Sequence, residues 1–135
     1  MELNTTILTA PPLDAATVVM LRDGPAGLQV LLMRRHQASN VLGGVYVFPG
    51  GKLDPEDQNP FWQERLSQDS ATLHQRLNEH DLPSERAAGL FVAAMREAYE
   101  ECRVLLGCAA DTSTGVPPVL QALRSGQSWH ESFQS

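Results

Sequence analysis

The chain has 135 residues, a length typical of one domain built around one hydrophobic core. Acidic residues outnumber basic ones by 16 to 10, and the formal net charge is −6. This balance excludes a broad nucleic-acid interface, because such an interface needs a basic surface.

The sequence contains no membrane or export signal that we can identify. No segment approaches the roughly 20 consecutive apolar residues that span a bilayer. Residues 1–4 lack the basic start of a signal peptide. The two cysteines, Cys102 and Cys108, lie among apolar residues and are interpreted as reduced thiols. We therefore expect a cytoplasmic protein without a membrane partner.

The first third of the chain is predicted to form short β-strands. Gly and Pro at 23–27 predict a turn that joins the first two strands into a hairpin. A polar loop at 36–44 precedes the third strand. Pro49, Gly50 and Gly51 are expected to end that strand, because proline cannot donate to a ladder. The predicted strands cover residues 16–22, 28–35 and 45–48.

Residues 55–83 are polar and are interpreted as an insertion. Asn59-Pro60 predicts a helix start within it. A stripe of apolar residues is expected to pack against the body of the protein: Trp62, Leu66, Leu73 and Leu77.

A long helix is predicted at about 84–103, with Asp81 or Ser84 as its N-cap. Its apolar side would contain Ala88, Val92, Met95, Tyr99 and Cys102. Beyond it we expect a strand at 104–106, a loop at 111–118 and short helices at 119–124 and 128–133.

Three glutamates share one face of this helix: Glu97, Glu100 and Glu101, at positions i, i+3 and i+4. Their mutual repulsion is unfavourable without a cation. Mg²⁺ or Mn²⁺ would turn the same cluster into an oxygen-rich site that recruits phosphate. Spacing alone also fits an ordinary solvated helix face.

The order of these motifs resembles the Nudix hydrolase family, whose box is G-x5-E-x7-R-E-U-x-E-E-x-G-U, with U apolar. Gly51, preceded by Phe48-Pro49-Gly50, matches the start of the box. The second half is matched by Arg96, Glu97, Ala98, Glu100, Glu101 and Val104. The resemblance covers roughly residues 16–106.

The resemblance implies an α+β fold, an α/β/α sandwich with a mixed sheet around the Nudix loop–helix–loop, in a single domain over 1–135. It implies a metal-dependent pyrophosphohydrolase that cleaves a small nucleoside diphosphate linked to another group, using Mg²⁺ or Mn²⁺. The implied metal ligands and catalytic residues are Glu97, Glu100 and Glu101, with Arg96 orienting them. The implied substrate-binding residues are Gly50, Gly51, Arg34 and Arg35, although the two arginines alternate along their strand and at most one is expected to face phosphate.

Three departures from the box matter. Asp57 stands at its first acidic position, but 38 residues separate it from Arg96 where the pattern has seven. This split resembles the coenzyme A and acyl-coenzyme A diphosphatase branch. Arg103 replaces the box glycine, and 29 residues follow Leu106 without a convincing strand. The alternative is a non-catalytic ligand-binding or regulatory module, or a fragment that is active once assembled, for example as a homodimer.

Overall fold

The protein is described by a computed structural model over residues 11–39 and 43–106 and at Trp129. Strands occupy the first half of the described chain and helices the second half, so the predicted α+β class is confirmed. The strands are β1 (Ala15–Thr17), β2 (Leu21–Gly24), β3 (Gly27–Val30), β4 (Met33–Arg34), β5 (Tyr46–Val47) and β6 (Gly50–Lys52). They are followed by the 3₁₀ helix η1 (Pro55–Gln58) and the α-helices α1 (Pro60–Gln63), α2 (Ser70–Leu77) and α3 (Ser84–Cys102).

Among the described residues the strands form three antiparallel pairs: β1 with β6, β2 with β3, and β4 with β5. The strand predicted at 16–22 is therefore two strands, because its first part pairs with β6 and its second part turns to pair with β3. The strand predicted at 28–35 divides in the same way between β3 and β4. The predicted hairpin is confirmed, with Gly24 opposite Gly27 across the turn.

The two glycines after Pro49 do not end the sheet structure, contrary to the sequence prediction. Gly50 and Gly51 belong to β6, where they lie opposite Thr17 and Ala16 of β1. A Cβ on Gly50 would overlap the backbone of Ala16 and Thr17. Glycine is needed here because two segments of main chain approach closely.

The insertion contains η1, α1 and α2, and it packs onto α3. The helix start predicted at Asn59-Pro60 is confirmed, since the Asn59 side chain accepts a 3.0 Å hydrogen bond from the Phe61 N–H. Trp62 and Leu73 are buried, as their stripe predicts. The Trp62 ring stacks on Trp129 at a centroid distance of 6.1 Å.

Helix α3 is the central element of the fold. Its N-cap position is Pro83, and neither Asp81 nor Ser84 caps it, because Ser84 already lies inside the first turn. The helix buries one continuous side, which includes the predicted Ala88, Val92 and Tyr99. No helix in the described ranges is both long and apolar enough to cross a membrane.

The chain leaves α3 through Arg103, which has a left-handed backbone with φ 60° and ψ 25°. Its N–H donates to the carbonyl of Tyr99 at 2.8 Å. The predicted strand at 104–106 is not formed, because no described strand pairs with it. The elements predicted at 111–118, 119–124 and 128–133 lie outside the described residues, apart from Trp129.

Candidate active site

The site is organised around Arg96, a charged residue whose side chain is only 5% exposed. Its Nε and Nη2 atoms donate to the two carboxylate oxygens of Asp57, each at 3.0 Å. Nη2 also donates to the carbonyl oxygen of Lys52 at 3.0 Å. A planar guanidinium satisfies these acceptors together because its donors are fixed in a fork. Arg96 therefore ties α3 to both η1 and β6.

Asp57 is fully buried, and its neighbours in the structure compensate its charge. Arg96 is one of them. Another is the backbone N–H of Asp54, which donates to Asp57 Oδ2 at 2.9 Å and completes the capping of η1. A buried carboxylate is tolerated only when it is paired and hydrogen bonded in this way. The split in the sequence thus closes in space, since residues 57 and 96 are in direct contact.

The remaining donor of Arg96 faces the glutamates. Its Nη1 donates to Glu97 Oε1 at 2.8 Å and to Glu100 Oε2 at 3.1 Å. The sequence predicts this contact with Glu100, one helical turn away. One guanidinium therefore fixes the direction of two carboxylates at once.

Strand β6 lies directly against the same glutamates. The backbone N–H of Gly50 donates to Glu101 Oε2 at 3.0 Å. A Cβ on Gly51 would overlap the carboxylate of Glu97. Glu97 and Glu101 are therefore adjacent to the glycine pair, and Glu100 is connected to Glu97 through Arg96.

The pKa values of Glu97 and Arg96 are shifted by burial and by neighbouring charged side chains. Burial raises the pKa of Glu97; repulsion from Glu100 and Glu101 acts in the same direction, while the Arg96 contact opposes it. For Arg96, burial alone would lower the pKa, but hydrogen bonds and charge from Asp57 and Glu97 raise it above its usual value. Burial and the neighbouring carboxylates therefore disfavour the negative charge of Glu97, and Arg96 offsets part of this effect.

The donor set suits a hard divalent cation, although the carboxylates do not form a ready-made metal cluster. Among residues 11–39, 43–106 and Trp129, no three His, Cys, Asp or Glu side chains are arranged to hold a metal ion. Each glutamate gives one oxygen to Arg96 or Gly50. Its second oxygen has no hydrogen bond from the described residues. Those three oxygens are the ligand type that Mg²⁺ prefers, so the residues fit a metal chemically.

Comparison with known proteins supports the assignment of the fold. No family model matches the chain. A solved structure, the crystal structure of a NUDIX hydrolase from Alicyclobacillus acidocaldarius, is similar with a TM-score of 0.54 and 28% sequence identity. The fold is that of a Nudix hydrolase. The match covers 89% of this chain and 52% of the other, so this chain spans about half the length of that Nudix hydrolase.

The two arginines predicted to bind substrate have no contact with the Arg96–glutamate cluster among the described residues. Arg34 is exposed in β4 and its Nε donates to the carbonyl of Gly44 at 3.4 Å. Arg35 continues the ladder, with its N–H donating to the carbonyl of Val45 at 3.0 Å. Neither side chain contacts the glutamates in the described structure.

Sequence reasoning underestimated two parts of the site. It placed Asp57 at the first acidic position of the split box without assigning it a partner, whereas Asp57 is the buried counterion of Arg96. It also overlooked the carbonyl of Lys52 as an acceptor. The capping pattern offered a signal for the first, because Asp54 and Asp57 are three residues apart at a helix start. A backbone acceptor such as Lys52 leaves no signal in the sequence.

Proposed function

We propose that this chain is a metal-dependent hydrolase that cleaves a phosphoanhydride bond in a nucleoside diphosphate linked to another group. The observation that carries this proposal is the arrangement around Arg96. Its guanidinium joins Asp57 to Glu97 and Glu100, and the Gly50–Gly51 backbone lies against Glu97 and Glu101. The similarity to a solved Nudix hydrolase supports it.

In this proposal Glu97, Glu100 and Glu101 hold Mg²⁺ or Mn²⁺ through the oxygens that Arg96 and Gly50 leave unoccupied. When bound, the metal neutralises charge on the diphosphate and acidifies the attacking water. Arg96 is a positioning residue, because its donors are already used by the carboxylates that it orients. The absence of a side chain at Gly51 lets the Glu97 carboxylate lie directly against β6.

The proposed substrate is a coenzyme A-like compound, with nucleotide sugars and dinucleotides as the next candidates. This choice follows the resemblance of the split box to the coenzyme A diphosphatase branch. The contact between Asp57 and Arg96 supports treating the two halves as one box, because it joins them across 38 intervening residues. The insertion at 55–83 then lies within the box and adds α1 and α2 beside the site.

Of the two arginines, we assign substrate phosphate binding to Arg35. Met33 of β4 faces α3, where the Cys102 thiol approaches its sulfur at 3.0 Å. Side chains alternate along the ladder, so Arg35 lies on the Met33 side and Arg34 on the opposite side. Arg35→Ala is expected to raise KM more than Arg34→Ala, which serves as its matched control.

A substrate panel tests the function. The purified chain is incubated with Mg²⁺ and coenzyme A, ADP-ribose, dinucleotides or nucleoside triphosphates, and phosphate-bearing products are measured. Glu100→Gln and Glu101→Gln should each lower turnover by about a hundredfold or more. Glu85→Gln, on the first turn of the same helix, should leave it unchanged. Near-wild-type turnover in folded Glu100→Gln and Glu101→Gln proteins would refute the assigned roles.

A second candidate is a non-catalytic Nudix-fold module, or a piece that works once assembled with another chain. The observation that favours it is the match to about half of the solved Nudix hydrolase. This candidate predicts that a member of the panel raises the melting temperature of the protein without yielding any product. The hydrolase proposal predicts product formation.

A further inference from the structure

The β2–β3 hairpin exposes a continuous apolar face. Opposite residues in an antiparallel pair point to the same side, and Leu21 lies opposite Val30. The hydrogen bond from the Leu31 N–H to the carbonyl of Met20 extends the ladder by one pair. Alternation then gives one face a set of five apolar side chains, called here the hairpin face: Val19, Leu21, Leu28, Val30 and Leu32.

None of the described helices or loops covers this face. Its five side chains are between 42% and 70% exposed, and Leu28 is the most exposed.

The size and charge of the hairpin face suit a particular kind of partner. Its exposed apolar area is on the order of 500 Å², as large as the largest patches of typical monomers. Two such faces together would bury about 1000 Å², the lower limit of a specific interface. Asp23, at the hairpin tip, is the charged residue among the described positions of this face. A positively charged partner would therefore find only one acidic side chain on the hairpin face.

We propose that the hairpin face of one copy of this chain packs against the hairpin face of a second copy around a two-fold axis. An isologous contact needs one patch that complements itself, and a flat apolar patch with its single charge at one end meets this need. The two hairpins would stack as layers of a sandwich, about 10 Å apart. Because Glu97, Glu100 and Glu101 lie on α3, the dimer would leave the proposed active site open.

Light scattering across a concentration series tests this proposal without reference to activity. The wild-type chain should approach twice its mass of 14.8 kDa. Leu21→Lys places a charge in the middle of the hairpin face, where Leu21 lies opposite Val30, so its mass should fall to that of one chain. Leu13→Lys is the matched control, because Leu13 is similarly exposed at 66% but lies outside the hairpin. This control should remain a dimer.

The outcomes separate the possible occupants of the face. A wild-type mass of one chain at every concentration overturns the proposal and would point to a different partner. A dimer that Leu21→Lys leaves intact, in a protein with a wild-type circular dichroism spectrum, also overturns it. High salt should not dissociate the dimer, because an apolar contact is not screened; dissociation by salt would contradict the proposal.

Discussion

The junction of β6, η1 and α3 differs from the β2–β3 hairpin in what stabilises it. The junction brings together residues that are far apart in sequence, and a buried Arg96–Asp57 pair connects them. The hairpin is held by a local backbone ladder and leaves its apolar face exposed. The junction, which carries the proposed chemistry, is thus stabilised by buried contacts between distant residues. The hairpin instead leaves an apolar surface available for contact with another molecule.

The largest expected effect comes from removing the buried ion pair between Arg96 and Asp57. Asp57→Ala leaves the Arg96 guanidinium buried without its main counterion, so the free energy of unfolding should fall by about 3–5 kcal/mol. Asp14→Ala is the control, because it removes a partly exposed ion pair with Arg86 and should cost about 0–1 kcal/mol. Urea unfolding measures both. Equal and small losses of unfolding free energy in the two variants would show that the buried pair stabilises the protein no more than the partly exposed one.

Gly50 and Gly51 separate stability from function within the junction. Gly50→Ala forces a Cβ against the backbone of β1 and should cost about 1–3 kcal/mol of unfolding free energy. Gly51→Ala meets the carboxylate of Glu97, the end of a side chain that can shift by giving up its Arg96 contact, so stability should fall by less than in Gly50→Ala. Turnover should nevertheless drop about tenfold or more. Thermal melts and a turnover assay measure these effects. A larger stability loss in Gly51→Ala than in Gly50→Ala, with unchanged turnover in Gly51→Ala, would contradict the site geometry.

The smallest effect is expected at the end of α3. Arg103→Gly relieves a left-handed backbone that glycine adopts without cost, and should raise the free energy of unfolding by about 1 kcal/mol. Arg103→Ala keeps the strained backbone and loses the contact of the guanidinium with the Tyr99 ring, at 5.4 Å. Arg103→Ala should therefore not raise the free energy of unfolding. A stabilising alanine variant would place the effect in the side chain and not in the backbone.

The hairpin shows what local sequence can predict. Gly24, Pro25 and Gly27 specify a turn, and the structure has that turn. The same rules did not predict that 16–22 and 28–35 divide between partners, because strand pairing depends on distant residues.

The junction shows where sequence reasoning needs the structure. The spacing of the glutamates on α3 follows from helix geometry. That these glutamates lie near Gly50 and Gly51 was predicted from the family resemblance. The burial of Asp57 and the carbonyl of Lys52 as an acceptor depend on how β6 and η1 pack. The departure at Arg103 has a structural answer, since arginine there takes the left-handed conformation that the box glycine would provide.

Metal binding by the glutamates is the central claim, and Mn²⁺ titration followed by electron paramagnetic resonance tests it most directly. The wild-type chain and Glu85→Gln should show the same saturable site. Glu100→Gln and Glu101→Gln should each weaken it by about tenfold or more while keeping the wild-type circular dichroism spectrum. Equal Mn²⁺ affinity in all four proteins, or no saturable binding by the wild type, would contradict the account.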